Sequence, residues 1–281
     1  MARYHAEGVH TVLVCCTGGE EGEVLNPAMD TPEVHARIAE LREAELDRAA
    51  DIIGYDEVVM LGYRDSGMAG AESNDNPLSF ARAPYDEAVE RLVEVVRRTR
   101  PQVMVIYGDE QSGYPHPDHL RVHEIGLAAY AAAGDPERFP GAGAAWQPGK
   151  LYYTMFSVQR FKEVHQKFEE LGLESPFDEQ WRKRWEDVPT EAVTTSVDIS
   201  DFADVRREAL LAHATQVDPK SPFWFGLPPE VMRSIHPYDD YRLARTATPG
   251  RGPGDPPVID VSPSLEGEAE GDLFAGVRDA R

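Results

Sequence analysis

Three short apolar runs, each followed by a polar loop and an amphipathic helix, limit what this chain can fold into. The runs are His10–Cys16 (HTVLVCC), Glu57–Gly62 (EVVMLG) and Val103–Tyr107 (VMVIY). They are short, apolar and rich in β-branched residues, the pattern of strands buried in a parallel sheet. After the first run, the loop TGGEEGEVLNPAMD leads to Thr31 and Pro32. These make an N-cap and first-turn pair opening a helix that is predicted to run to about Ile53. Val34, Ile38, Leu41, Ala49 and Ile52 approximate its buried stripe. The second run is followed by RDSGMAGAESNDNP and a helix marked by Val89, Leu92, Val93 and Val96. The third is followed by GDEQSGYPH and a helix from near Pro117 to about Ala133. Such alternation predicts an α/β fold built on a doubly wound, mostly parallel sheet with right-handed crossovers. Ligands of such sheets bind at the carboxyl ends of the strands. All three polar loops leave from that edge.

Beyond Gly134 the periodicity weakens. KLYYTMF (Lys150–Phe156) and AVTTSVDI (Ala192–Ile199) read as strands, and Ser157–Leu171 and Ser200–Ala214 as helices. The expected organisation is one α/β domain over residues 1–246. Within it, 1–135 form the parallel core and 136–246 complete the body and wall the pocket. Residues 247–281, rich in Pro, Gly and acids, read as a mostly mobile tail whose apolar GDLFAGV docks back on the body.

Charge narrows the partners. Of 281 residues, 28 are Lys or Arg and 50 are Asp or Glu, a formal charge of −22. Such a surface repels phosphate backbones and anionic lipid, so neither nucleic acid nor membrane is expected as a partner. A small molecule is expected instead, bound by a monomer or homo-oligomer. The two cysteines, Cys15 and Cys16, are adjacent and on a strand would point to opposite faces, which rules against a mutual disulfide. A reducing cytoplasm fits that usage, and no apolar stretch approaches the roughly 18 residues of a membrane span. The opening MARYHAEG has no signal-peptide core and reads like the last turn of a helix stopped by Gly8.

The sharpest motif is Tyr114-Pro115-His116-Pro117-Asp118-His119. Pro117 suits the first helical position, so His116 is the expected N-cap and His119 lies in the first turn, on the same side. Asp118 gains from the positive end of the helix dipole. Imidazole is a common zinc ligand, and a neighbouring carboxylate can fix its tautomer. The plainer alternative is two histidines that merely cap the helix; the whole block after a strand and a Gly-containing turn favours function. Catalytic zinc takes about three protein ligands, and no second cluster with partner spacing is visible. The loop Thr17–Glu23 (TGGEEGE) pairs glycines with three carboxylates, Glu23 among them. It suits a polyol or amine better than a phosphate, or is simply a solvated acidic turn. Asp65 in Arg64-Asp65-Ser66-Gly67 either accepts hydroxyl hydrogen bonds or caps the next turn. His213, in His213-Ala214-Thr215-Gln216, is either structural or part of a site, and Pro222–Phe225 either walls a pocket or belongs to the core.

Taken together, TGGEEGEVLNPAMD, RIAEL, RDSG, GYPHPDH, GKLYY and HATQVDP resemble, in order, the zinc-dependent de-N-acetylase superfamily. That superfamily includes mycothiol S-conjugate amidases and the deacetylases of mycothiol biosynthesis. LNPAMD and HATQVDP look more like the amidases, RDSGMAG more like the deacetylases. The resemblance implies Zn2+ as cofactor and His119 as a ligand. It implies His116 as general acid or electrostatic stabiliser, oriented by Asp118, with Tyr114 polarising the carbonyl or oxyanion. Arg37 and Asp65 would hold a glucosaminyl-inositol, and Met68 and Gln216 would line or gate the pocket. Family members also carry a His-Pro-Asp-Asp-Glu motif after a first strand, supplying two zinc ligands and a general base. This chain has no such motif, and Met1 aligns with the end of the helix that follows it. The resemblance therefore implies that a first strand and most of a first helix are missing, with weak zinc binding and little turnover expected of this form.

Overall fold

Local sequence signals set most of the elements. The computed structural model describes residues 1–108, 115–155, 158–187, 193–248, 257–261 and 270–277. A short helix, α1 (Ala2–Ala6), precedes β1 (Val12–Thr17). Helix α2 (Pro32–Ala36) starts where Thr31 accepts the Val34 N–H on its hydroxyl at 3.3 Å, with Pro32 in the first position. The single helix expected from Thr31 to Ile53 is two. Arg37 has φ −122° and ψ 20°, outside the helical region, so the backbone turns there before α3 (Ile38–Ile53). Gly54, left-handed at φ 87°, stops α3. Then follow β2 (Glu57–Tyr63), α4 (Tyr85–Thr99), β3 (Val103–Tyr107), α5 (Pro117–Ala133), β4 (Lys150–Met155) and α6 (Val158–Glu170). The remainder is α7 (Glu179–Asp187), β5 (Thr195–Asp198), α8 (Ala203–Ala212), α9 (Pro222–Phe225), α10 (Pro229–Met232), β6 (Tyr238–Thr248) and β7 (Val258–Asp260).

The strands differ from the single, mostly parallel sheet expected of them. Among the described residues β1 and β2 form a parallel pair of their own, with Val12 opposite Glu57. A second sheet runs β3-β4-β6-β5, with β7 on β6. Only β3 and β4 are parallel in it, Tyr107 facing Thr154; every pairing of β6 is antiparallel. The physical reason is β6. Eleven residues long, it inserts between β4 and β5, and its direction is set by tertiary pairing that no local periodicity records. As sheet edges, β1 and β3 are half-buried throughout, whereas the first four residues of β4 are buried.

Helices join the two sheets. Leu61 and Tyr63 of β2 pack with Val89, Val93 and Val96 of α4 and with Ile125 and Ala129 of α5. On β4, Tyr152 packs with Tyr4 of α1 and with Tyr241 and Leu243 of β6. Leu273, from GDLFAGV, joins that cluster, and its N–H donates to the Tyr4 hydroxyl at 2.8 Å. This contact and β7 place parts of the 247–281 segment on the body. A third cluster, with Phe168, Phe177, Trp185 and Leu227, lies under α6 to α10. No helix of the described residues is long and apolar enough to cross a membrane.

Candidate active site

The loops after β1 and β2 meet each other and the start of α5, and they do so through backbone amides held by carboxylates. Asp65 is buried. Its Oδ1 accepts the Gly67 N–H at 2.8 Å, and its Oδ2 accepts the Glu21 N–H at 3.2 Å. Glu20 Oε2 in turn accepts the Asp65 N–H at 3.0 Å, and Glu21 pairs with Arg64. Ser66, fully buried, donates its N–H to Asp118 Oδ2 at 3.2 Å. The ends of β1 and β2 are thereby tied to the start of α5.

The glycine-rich loop has an internal occupant that the sequence did not disclose. Arg42 of α3, also buried, donates to the Gly19 carbonyl at 2.5 Å and to the Glu23 carbonyl at 2.9 Å. The guanidinium fills the inside of that loop. The glycines make room for it, since a Cβ on Gly22 would stand 2.1 Å from Arg42 Nη1. The side chain of Glu23 itself is exposed. A second hidden anchor is Glu45, also on α3, whose two oxygens accept the Thr215 N–H and hydroxyl, each at 2.7 Å. Asn26 donates to the Ala214 carbonyl at 2.8 Å. The LNPAMD and HATQVDP segments are therefore in direct contact.

Asp65, His116 and Asp118 form one group, their donor atoms all within 4.8 Å of one another. His116 is the N-cap of α5, and its Nδ1 accepts the Asp118 N–H at 3.1 Å. A neutral ring that accepts at Nδ1 carries its proton on Nε2, so in this state His116 is an N–H donor. Burial raises the Asp118 pKa; hydrogen bonds from Ser66 oppose the rise and repulsion from Asp65 adds to it. His119 stands outside the three-donor group. Its ring stacks on Tyr107 at 4.2 Å and lies 5.1 Å from that of His116. Burial, reinforced by His116, lowers its pKa to about 4, which keeps the imidazole neutral at physiological pH. Cys15 and Cys16 are free thiols, and burial pushes Cys16 up to about 12, so it offers no thiolate nucleophile.

The other sequence candidates lie as follows. Arg37 is exposed and pairs bidentately with Glu40, at 2.9 and 2.6 Å; no described contact joins it to the acid–histidine group. Met68 is 45% exposed, while Gln216 is half-buried with its N–H on the His213 carbonyl. Tyr114 lies outside the described residues.

The residues fit a divalent cation. Two carboxylates and an imidazole are the donor types such ions take, and Asp118 Oδ1 is buried with no hydrogen-bond partner among the described residues. None of the three donors comes from the His-Pro-Asp-Asp-Glu motif that this chain lacks.

An α/β body that gathers two carboxylates and a donor imidazole at its strand ends has the equipment of a hydrolase. The comparisons with known proteins agree. Residues 1–130 match the family model described as PIG-L, GlcNAc-PI de-N-acetylase. The mycothiol S-conjugate amidase of Streptomyces coelicolor is 39% identical over 288 residues, covering 99% of this chain and 91% of that protein. A 1D-myo-inositol 2-acetamido-2-deoxy-alpha-D-glucopyranoside deacetylase of Catenulispora acidiphila is 37% identical, covering 99% and 83%. In fold, the chain is similar to N,N'-diacetylchitobiose deacetylase from Pyrococcus horikoshii, with a TM-score of 0.56 at 16% identity, covering 86% of this chain and 75% of that one. The chain belongs to the GlcNAc-PI de-N-acetylase family and is a hydrolase acting on amide bonds.

Proposed function

We propose that this hydrolase cleaves the amide of mycothiol S-conjugates, releasing glucosaminyl-inositol and an N-acetylcysteine S-conjugate, with Zn2+ as cofactor. The single observation that carries hydrolysis is the convergence of Asp65, His116 and Asp118. The amidase role is supported by the match to the Streptomyces coelicolor amidase along nearly the whole chain. Asp65 and Asp118 would hold the cation, with His119 as the further ligand that the family resemblance implies, and a bound Zn2+ would supply Lewis-acid polarisation of the carbonyl. Released from its cap and protonated by the attacking water, His116 would be the imidazolium that passes a proton to the leaving amine. Until that release, Asp118 keeps the ring at the helix start through its own backbone N–H. Arg37 and Asp65 are the proposed sugar contacts, with Glu23, Met68 and Gln216 around them and Tyr114 at the oxyanion.

A second reading, deacetylation of N-acetylglucosaminyl-inositol, is favoured by the RDSGMAG form and by the Catenulispora acidiphila relative. Steady-state kinetics on both amides separates the two. The proposal expects a higher kcat/KM for an S-benzyl mycothiol conjugate. A higher value for the N-acetyl sugar would assign the deacetylase role, and saturable binding of both without turnover would reduce the chain to a sugar-binding protein.

A further inference from the structure

A cavity of about 580 Å3 lies in the C-terminal half, among α6, α8, α9, α10 and the start of β6. None of Asp65, His116 and Asp118 lines it. Thr154 in its wall pairs with Tyr107, the ring stacked on His119. Phe161, Phe223, Leu227 and Ile235 give it an apolar interior.

Its charge runs against that of the chain. Where the whole carries −22, the described lining residues include four arginines and three aspartates. Each aspartate is already engaged. Asp204 pairs with Arg233 and Asp239 with Arg206. Asp240 accepts from Ser196 Oγ at 2.7 Å and contacts His236 Nε2 at 2.6 Å. Arg207 lies over the Phe225 ring, 5.6 Å from its centroid. Arg160, near the start of α6, is left with no hydrogen bond or ion pair to any described residue, though it is half-buried. Burial, together with repulsion from Arg206, lowers its pKa to about 10, against the weaker attraction of Asp239 and Asp240. A desolvated guanidinium without a partner is costly, and a planar carboxylate is the group that matches its fork.

We propose that this cavity is a second binding site, taking an aromatic or branched aliphatic body that carries one carboxylate, with the carboxylate on Arg160. The body fills the apolar interior, and the anion supplies the partner that the fold withholds. The site does not depend on the amide-hydrolase reading.

Calorimetric titration of the full chain with hydrocinnamate and with its uncharged amide tests this, with fluorescence of Trp224, which lines the cavity, as a second readout. A charge-assisted bidentate contact should favour the carboxylate by about tenfold to a hundredfold. Arg160→Met should remove that preference while leaving the affinity for the amide, and Arg160→Lys should keep part of it. A chelator should change neither affinity, which separates this site from any metal centre. Equal binding of the two probes, no saturable binding, or a preference that survives Arg160→Met would overturn the proposal. Should Arg160→Met fail to fold, a full, undiminished preference in Arg160→Lys counts against it.

Discussion

The backbone N–H of Ser66 and the carboxylate of Asp118, 3.2 Å apart, join the loop after β2 to the first turn of α5. With Asp65 bonded to Gly67 in its own loop and to Glu20 and Glu21 in the loop after β1, this contact fixes where His116 can stand. The site is thus a cross-braced set of loops, and its chemistry depends on positions that a motif search passes over.

His116 is assigned two duties, cap and proton donor, and they can be separated. Asn caps helices as well as any residue, so His116→Asn should keep stability within about 0.5 kcal/mol. Loss of a general acid typically costs about 10²–10⁴ in rate, and kcat should fall accordingly with KM little changed. An unaltered kcat would leave His116 as a cap alone.

The loop around Arg42 should tolerate no side chain at Gly22. A Cβ there meets the guanidinium at 2.1 Å, and overpacking of this kind costs about 1–3 kcal/mol. Gly141, with no atom within 4 Å of its would-be Cβ, is the control. Chemical denaturation should show Gly22→Ala destabilised and Gly141→Ala near neutral; equal stabilities would mean that Arg42 moves aside freely.

Glu45 and Thr215 bind the HATQVDP segment to α3. Thr215→Val keeps the shape and removes one hydrogen bond to a buried carboxylate, a loss of about 1.5–3 kcal/mol. A change below about 0.5 kcal/mol in urea denaturation would show that the pair is not under load.

His213 should make stability depend on pH. Its Nδ1 is buried without a hydrogen-bond partner among the described residues. Burial lowers its pKa below the ordinary 6.5, with Arg42 adding to the drop and Glu45 opposing it. The folded state therefore binds fewer protons than the unfolded one. This contribution is complete above about pH 6.5 and is lost as the pH falls below it. Thermal denaturation from pH 8 to pH 5 should show a steeper loss of Tm in the wild type than in His213→Gln; parallel curves would remove His213 as the cause.

The three strand–loop–helix units were legible because each carries its own periodicity and its own cap, as at Thr31 and His116. What was not legible is non-local. Strand β6 owes its place to β4 and β5 on either side, and its antiparallel course lay outside the parallel sheet drawn from β1, β2 and β3. Arg42 and Glu45 were passed over because charged residues on a helix ordinarily mark its wet face. The expected stripe caught Ala49 but not Arg42 and Glu45, which share its buried face at i, i+3 and i+7. That spacing was the available signal. Ser66 gave none, since it acts through its backbone.

The central claim, a metal-dependent amide hydrolase centred on Asp65, His116 and Asp118, is tested most directly by turnover of an S-benzyl mycothiol conjugate after metal removal. Chelation should abolish whatever turnover the full chain shows, however small, and zinc should restore it in proportion to metal bound, but not in Asp118→Asn. Full turnover in the presence of chelator, or equal restoration in Asp118→Asn, would contradict it.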